Sequence, residues 1–503
     1  MLGARNSKGN GQNPCTLGGA MYRKRVSEPE FEDFYLPFGG RLRSDNRWVR
    51  LSKLVPWDEI EKRYAEQFSG NGMGAPAKPV RVALGALIIK EKMRLTDEET
   101  VEQIRENPYL QYFLGYEGYR DEALFDPSMM VHFRKRLDLK ELTEINELIH
   151  AKEQRKKPKR GADDSGGGGT EKDPPNQGEL ILDASCAPAD IRYPTDLNLL
   201  SEAREKSEAI IDVLHAPLRG KEKKVRTYRN KARKEYLNAA KRKRIGSKEL
   251  QKALGKQLRY VDRNLSHIKE LAERSSLELL SRKTYRDLLV IGEVYRQQKF
   301  MHENAVHRVQ GRIVSISQPH VRPIVRGKRS APVEFGAKIS VSLVDGYAFV
   351  DRMSWDAYNE SEDLNGQVEQ YRRRFGCYPE SVHVDKIYRT RENLRFCNEH
   401  GIRVSGPRLG RSPKVIDRKQ LEQRRADEIV RIDIEGKFGE GKRRYSLGRI
   451  MAKLPETSGS IIGMVFLIMN MEKLLRGALL RLFDWLIESG STSARNGFGI
   501  LAL

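Results

Sequence analysis

Glu179-Leu-Ile-Leu-Asp183 is a short apolar run ending in a carboxylate, the form of a buried strand that delivers an acid to a sheet edge. The stretch before it, from Gln154 to Gly178, is made largely of Lys, Gly, Asp and Pro and includes Gly166 to Gly169, a composition that cannot bury enough surface to fold alone. A flexible linker is therefore expected over 151–178, and a new domain is expected to begin at 179 and to extend to 476.

Downstream, from Leu197 to about Val309, the pattern turns helical, with Leu250, Leu254, Leu258, Val261, Leu265 and Ile268 at helix spacing. Strand character returns at Ile339, where Ile339, Val341 and Leu343 alternate with Ser340 and Ser342. Asp345-Gly346 supplies a turn, and Tyr347 to Val350 runs back as the second arm of a hairpin. A helix near Glu362 to Phe375 follows, then Ser381-Val-His-Val-Asp385 as another strand ending in an acid, a helix from Arg391 to Glu399, and a strand at Gly401-Ile-Arg-Val-Ser405. This order is that of an α/β, ribonuclease-H-like mixed sheet with a long helical insertion, about 197–309, after its first strand.

Upstream, residues 57 to 137 read as helices: Val82, Leu84, Leu87 and Ile88 recur at helix spacing, and Thr96 with Glu99 makes a capping box. We expect an all-α N-terminal domain over 31–150. One of its helices starts at Asp126-Pro127 and carries Arg134, Lys135 and Arg136, either as a DNA-contacting face or as a solvated basic one. Residues 1–30 read as a disordered extension, with Met21 an alternative start to Met1, and 477–503 as a C-terminal tail.

The 503 residues hold 92 Lys and Arg against 69 Asp and Glu, a formal charge of +23, which calls for a polyanionic partner. From Arg219 to Lys256 there are 16 Lys/Arg against 3 Glu, a density that phosphates or full solvation must balance. Nucleic acid fits better than membrane. The longest apolar run, Ile461 to Met469, is interrupted by Gly463, is too short to span a bilayer, and reads as a buried helix. With no secretory signal, a cytoplasmic, nucleoid-associated protein is expected. Cys15, Cys186, Cys377 and Cys397 form no CxxC pair and read as reduced structural residues.

Phosphodiester chemistry without a covalent protein intermediate needs an activated oxygen nucleophile and a stabilised leaving oxygen, which two magnesium ions about 4 Å apart provide. Asp183, Asp385 and Glu435 are the candidate metal-ligating catalytic acids, because magnesium takes hard oxygen ligands. In Arg431-Ile-Asp-Ile-Glu435-Gly-Lys-Phe-Gly-Glu-Gly-Lys442, positions 431, 435 and 442 lie within about 40° of one another on a helix, so Arg431 and Lys442 would flank the acid and grip phosphates. Gly436, Gly439 and Gly441 oppose that helix by about 1 kcal/mol each, so packing must hold it. Gly436-x4-Gly441-Lys442 imitates a phosphate-binding loop, but Arg443 stands where Ser or Thr must ligate magnesium. His302 and His307 fall about 140° apart on a helix and make no metal pair. Asp190, Asp345, Asp351 and Glu440 read as turn, cap or surface acids, with Asp190 able to assist the site from behind.

The spacing R-x3-E-x6-K resembles the signature around the catalytic glutamate of bacterial insertion-sequence DDE transposases of the IS-four and IS-five-like superfamily. Leu182-Asp183-Ala-Ser with Tyr193-Pro-Thr-Asp196 resembles their first-aspartate block, Glu334-Phe-Gly-Ala-Lys338 their second strand, and Val384-Asp385-Lys386 with Tyr388 their second-aspartate block. Residues 57 to 137 resemble their helical N-terminal domain and Asn470-Met-Glu-Lys-Leu their closing helix, so the likeness covers most of 30 to 476. Glu428 stands where the family usually has Tyr, and Ile387 where Gly often follows the Asp-Lys pair. The resemblance implies Mg2+-dependent nicking at element ends, Mn2+ being able to substitute, and attack of the freed 3′ hydroxyl on target DNA. It also implies double-stranded DNA as partner, in the form of terminal inverted repeats and target, handled by a homodimer. The alternatives are a catalytically inactive, element-derived DNA-binding regulator and a ribonuclease-H-like nuclease without strand transfer.

Overall fold

The computed structural model describes residues 36, 40–68, 76–156, 174–325, 333–407, 409–410 and 418–497. The extension expected over 1–30 and the glycine run Gly166 to Gly169 lie outside the described residues. The chain divides into two compact units, Met1–Asp164 with Leu467–Leu503, and Ser165–Phe466.

The first unit is helical: α1 (Arg47–Leu54), α2 (Trp57–Glu66), α3 (Val80–Met93), α4 (Asp97–Glu106), α5 (Pro108–Phe113), α6 (Met129–Arg136) and α7 (Leu139–Lys156). Helix α3 is apolar nearly all round and buried on every face from Val80 to Ile89, which makes it the unit's central helix. Gly85 lets α5 approach it, since a Cβ there would collide with Leu114. The predicted capping box forms at α4, Thr96 accepting from the Glu99 amide at 3.1 Å and Glu99 from the Thr96 amide at 2.8 Å.

The second unit is built on one mixed sheet. Its elements are β1 (Glu179–Pro188), α8 (Asp196–His215), α9 (Arg229–Ala240), α10 (Ser247–Arg274), α11 (Arg282–Glu303), β2 (Arg322–Val325), β3 (Val333–Val344), β4 (Tyr347–Ser354), α12 (Leu364–Phe375), β5 (Ser381–His383), α13 (Arg391–Glu399), β6 (Arg403–Val404), α14 (Arg418–Arg444) and the start of α15 (Pro455–Gly497). The strand order is β2-β3-β1-β5-β6, with β4 also on β3. β3 runs antiparallel to β1, β2 and β4, whereas β1, β5 and β6 are mutually parallel.

Strand β1 is central and buried on both faces, which explains its unbroken apolar start. The β3–β4 hairpin turns at Asp345 and Gly346, with φ of 49° and 72°, the two positive angles that a tight primed turn requires. At Gly336 a Cβ would strike the Ala187 carbonyl, so only glycine lets β3 lie against the end of β1. One face of the sheet packs Leu180, Leu182, Val382 and Val384 against Leu364, Val368 and Tyr371 of α12, Tyr388, and Cys397 of α13.

The predicted helical insertion consists of α8 to α11, between β1 and β2, around its own core of Leu200, Ile211, Leu258, Val261, Ile291 and neighbours. Inside it Arg204, 1% exposed, is held by Glu208 at 2.6 Å and Glu205 at 2.9 Å. The insertion leaves and rejoins the sheet at one point, where Gln318 Nε2 donates to the Asp190 carbonyl at 2.9 Å.

Pro455–Gly477 is long and apolar enough to cross a membrane, yet 83% of that window is buried within the protein, as a core helix requires. The segment expected as a tail from 477 is helical as far as Gly497. It contains no proline, and its first half is led by Leu479, Leu480, Leu482 and Leu486, strong helix formers.

Candidate functional site

Asp183 lies midway along β1 and is half-buried. Ile181 of β1 is paired with His383 of β5 at the end of their parallel ladder, and Asp183 and Asp385 each follow that pair by two residues. Asp385 is exposed just past the end of β5, where its Oδ1 accepts from the Lys386 amide at 2.7 Å and caps a 3-10 turn, Lys386–Tyr388. Ile387, where the resembled family often has glycine, is half-exposed in that turn and needs no left-handed backbone.

Helix α14 packs over both strands, contacting β1 and β5. Ile434, Phe438 and Gly441 form its buried stripe, and Gly441 is the one of its three glycines closed in by packing: a Cβ there would lie 2.9 Å from Leu447 Cδ2 and 3.5 Å from Val465 Cγ1. The helix expected across 431–442 therefore exists despite its glycines, because packing supplies what propensity withholds. Arg431 pairs with Glu435 at 3.0 Å, and the Glu435 side chain is 53% exposed. One turn earlier on α14, buried Asp427 receives Arg403 at 2.8 Å and lies 3.7 Å from His383 Nδ1. Burial lowers the His383 pKa, against the pull of the Asp427 carboxylate.

The three acids thus come from β1, the end of β5 and α14, elements in mutual contact. Their side chains are not drawn together: among the described residues no three His, Cys, Asp or Glu side chains are close enough to hold a metal ion. Each is otherwise engaged, Asp183 with the Ala184 amide at 2.8 Å, Asp385 with Lys386 and Glu435 with Arg431. As a donor set, three hard oxygen ligands on adjoining elements fit a divalent cation such as magnesium.

Beside Asp183 runs a polar network that the sequence did not reveal. Ser340, opposite Ala184 in the β1–β3 ladder, is bonded to Asp363 and to the Tyr358 hydroxyl, and Arg352 reaches Asp363 at 2.5 Å. Lys338 pairs with Glu360 at 2.8 Å. Tyr388 is wholly buried with no partner for its hydroxyl, and its pKa is driven up by burial first and then by nearby acids, Glu360 and Asp183 among them. Most of its members lie between Lys338 and Asp363, on β3, β4 and the turn that follows them, and they meet because the hairpin folds that turn back over β3.

The other predicted residues fall as follows. Lys442 is half-buried on α14, the same helix as Arg431. In the first unit, Arg134 is bound twice by Asp97, at 2.8 and 2.7 Å, and its side chain is only 12% exposed. Arg136 stacks over Phe68 at 5.0 Å, and Lys135 alone of the three is exposed. Asp190 pairs with Arg449 at 2.5 Å, and Glu440 with Lys437 at 3.1 Å. Asp351, read as a turn or surface acid, is instead buried against Arg374 at 2.8 Å. His302 contacts the Gln251 carbonyl at 3.1 Å. Cys377 and Cys397 are free thiols, and burial pushes the Cys397 thiol up to about 11.

Residues 382–472 match the family described as Transposase DDE domain, and residues 37–136 match Transposase domain (DUF772). The first match contains Asp385, Arg431, Glu435 and Lys442. The chain is 32% identical over 157 residues to an uncharacterized protein, ORF8 in the nfe locus of Rhizobium meliloti, the alignment covering 31% of this chain and 68% of that protein. No solved structure is significantly similar to it.

Proposed function

Because this chain belongs to the insertion-sequence DDE transposases, we propose that it cuts DNA at the ends of its own element in the presence of magnesium and joins the freed 3′ hydroxyl to a target strand. The observation that carries this reading is that Asp183 on β1 and Asp385, just past the end of parallel β5, each follow the Ile181–His383 pair by two residues, with the helix bearing Glu435 packed on both strands. The strand order supports a ribonuclease-H-like catalytic domain over 179–476: an antiparallel run β4-β3-β1 continued by parallel β5 and β6.

Two magnesium ions, or manganese in their place, held by Asp183, Asp385 and Glu435 would supply an activated oxygen nucleophile and a stabilised leaving oxygen. The protein's own part is charge exchange. An approaching DNA phosphate competes for the Arg431 guanidinium, and as Arg431 turns to it the Glu435 carboxylate is freed for its ligand role. Lys442, two turns along the same helix, is the second phosphate contact. The helical domain over 31–150 would bind the terminal repeats with Lys135 as its exposed cation, and a homodimer would hold two ends at once on the nucleoid.

The test is cleavage and joining of DNA carrying the element's ends, native protein against Glu435→Gln, Asp183→Asn and Asp385→Asn. Each variant should lose several kcal/mol of transition-state stabilisation, about a thousandfold in rate, while still binding the DNA. Binding without any cutting by the native protein would make it the inactive regulator; cutting without joining would make it a nuclease.

A further inference from the structure

The insertion has a charge distribution that its fold does not need. We propose that α8 to α11 form a rail that holds roughly one turn of duplex DNA outside the scissile phosphate, gripping its backbone without reading its sequence. This rests on the proposed DNA chemistry but concerns a different surface.

Hydrogen bonds fix the orientation of the insertion. At one end Tyr236, late in α9, donates to Asn198 at the start of α8 (2.8 Å), Gln298 near the end of α11 donates to Asp196 (2.8 Å), and His302 meets Gln251 near the start of α10 (3.1 Å). This end adjoins the sheet, because Asp196 follows the end of β1 by eight residues. At the other end the C-terminus of α10 is tied back by Arg274 to Glu222 at 3.0 Å, just beyond α8. The 20 residues of α8 span the distance, about 30 Å at 1.5 Å per residue.

The basic run lies along this whole length. Lys221, Lys223 and Arg226 are exposed at the far end, Lys231 and Lys234 on α9, and Lys241 to Arg244 at the near end. On α9 the spacing of Lys234 and Lys241 puts them within about 20° of each other, with Lys231 about 60° from Lys234, on the side away from buried Ala232. Acids satisfy only part of the run: Asp212 takes Lys224 and Arg229, Glu249 takes Arg242 and Glu235 takes Lys256. Lys221, Lys223, Arg226, Lys234, Lys241, Lys243 and Arg244 make no ion pair among the described residues, and Lys231 has only the Glu235 carboxylate nearby.

So many unpaired like charges on a rigid ridge repel one another, and a regular polyanion is the partner that relieves them. Duplex DNA presents one charge per about 1.7 Å of axis on a straight rod, and a 30 Å ridge matches about nine base pairs of it. A single strand would instead call for a row of open aromatic stacking platforms; the track offers one exposed ring, Tyr228, and the Arg263 guanidinium lies over it at 4.8 Å.

The test uses the full chain and element-end duplexes with flanks of about 4 and about 14 base pairs, with affinity measured across salt. In the triple variant K221Q/K223Q/R226Q the slope of log affinity against log salt should fall by about 0.9 per lost phosphate contact, so by roughly 2 to 3, on the long flank only. Affinity for the short flank should match the native protein, which also shows that the variant is folded. An unchanged slope on the long flank, an equal loss on both lengths, or tighter binding of single-stranded DNA or duplex RNA would overturn the rail. Native protein with the flank-dependent slope but no cleavage would sink the catalytic reading and leave the rail standing; cleavage without flank dependence would do the reverse.

Discussion

Asp351 and Arg374 show how far a residue's role can lie from its local sequence. Their side chains are 1% and 5% exposed, with Gln367 donating to the second carboxylate oxygen at 2.8 Å. Nothing near Asp351 in the chain announces a partner 23 positions away on α12, so its burial was not legible. Arg374→Met should strand a buried carboxylate and destabilise the second unit by about 3–5 kcal/mol, read as a lower denaturant midpoint with an unchanged m-value. His320 offers a pH test. Burial, with help from Arg322 and Arg286 and against Glu456, lowers its pKa to about 4, and its ring lies 4.3 Å from that of Trp355. A folded-state pKa below the unfolded value of about 6.5 means the folded form resists protonation, so stability is intact above pH ~6.5 and is lost as pH falls toward 4. His320→Gln should flatten that part of the stability–pH curve; a variant that follows the native curve between pH 7 and 4 would refute the assignment.

Among the elements, α14 separates what pattern and packing each contribute. The 431–442 spacing made the helix legible, but its glycines argued against it, and the packing that decides the matter comes from Leu447 and Val465, outside the motif. Substitution should expose this division. Gly436→Ala meets no atom within 4 Å and should stabilise the protein by up to about 1 kcal/mol, whereas Gly441→Ala drives a methyl against Leu447 and should destabilise it by about 1–3 kcal/mol. Equal thermal shifts for the two would contradict the packing described. The strands before the two aspartates were legible because buried parallel strands are apolar without alternation, but β5 stops at His383, two residues short of the acid it was expected to end on. β1 was expected to end at Asp183 but runs on to Pro188, since Ala184 to Ala187 are too small to register as an apolar run. β2 was missed altogether: four residues with Pro323 inside, paired only on one side, carry almost no periodicity.

At the scale of the whole molecule, the order of elements around the three candidate acids was legible in the sequence. What the sequence could not express is the Ile181–His383 pairing that brings the Asp183 and Asp385 segments side by side across some 200 residues of chain. The insertion that separates them, from Asp190 to Gln318, begins and ends at a single 2.9 Å hydrogen bond. Two chain points that already touch can be joined by a short turn at little entropic cost, and an element bounded in this way can be gained or lost as a unit. The insertion is therefore a cassette. A chain in which a glycine-containing turn replaces residues 191–317 should keep the sheet and its three acids, and a longer or shorter helical bundle grafted at the same seam should change how much flanking DNA the protein spans without moving the chemistry.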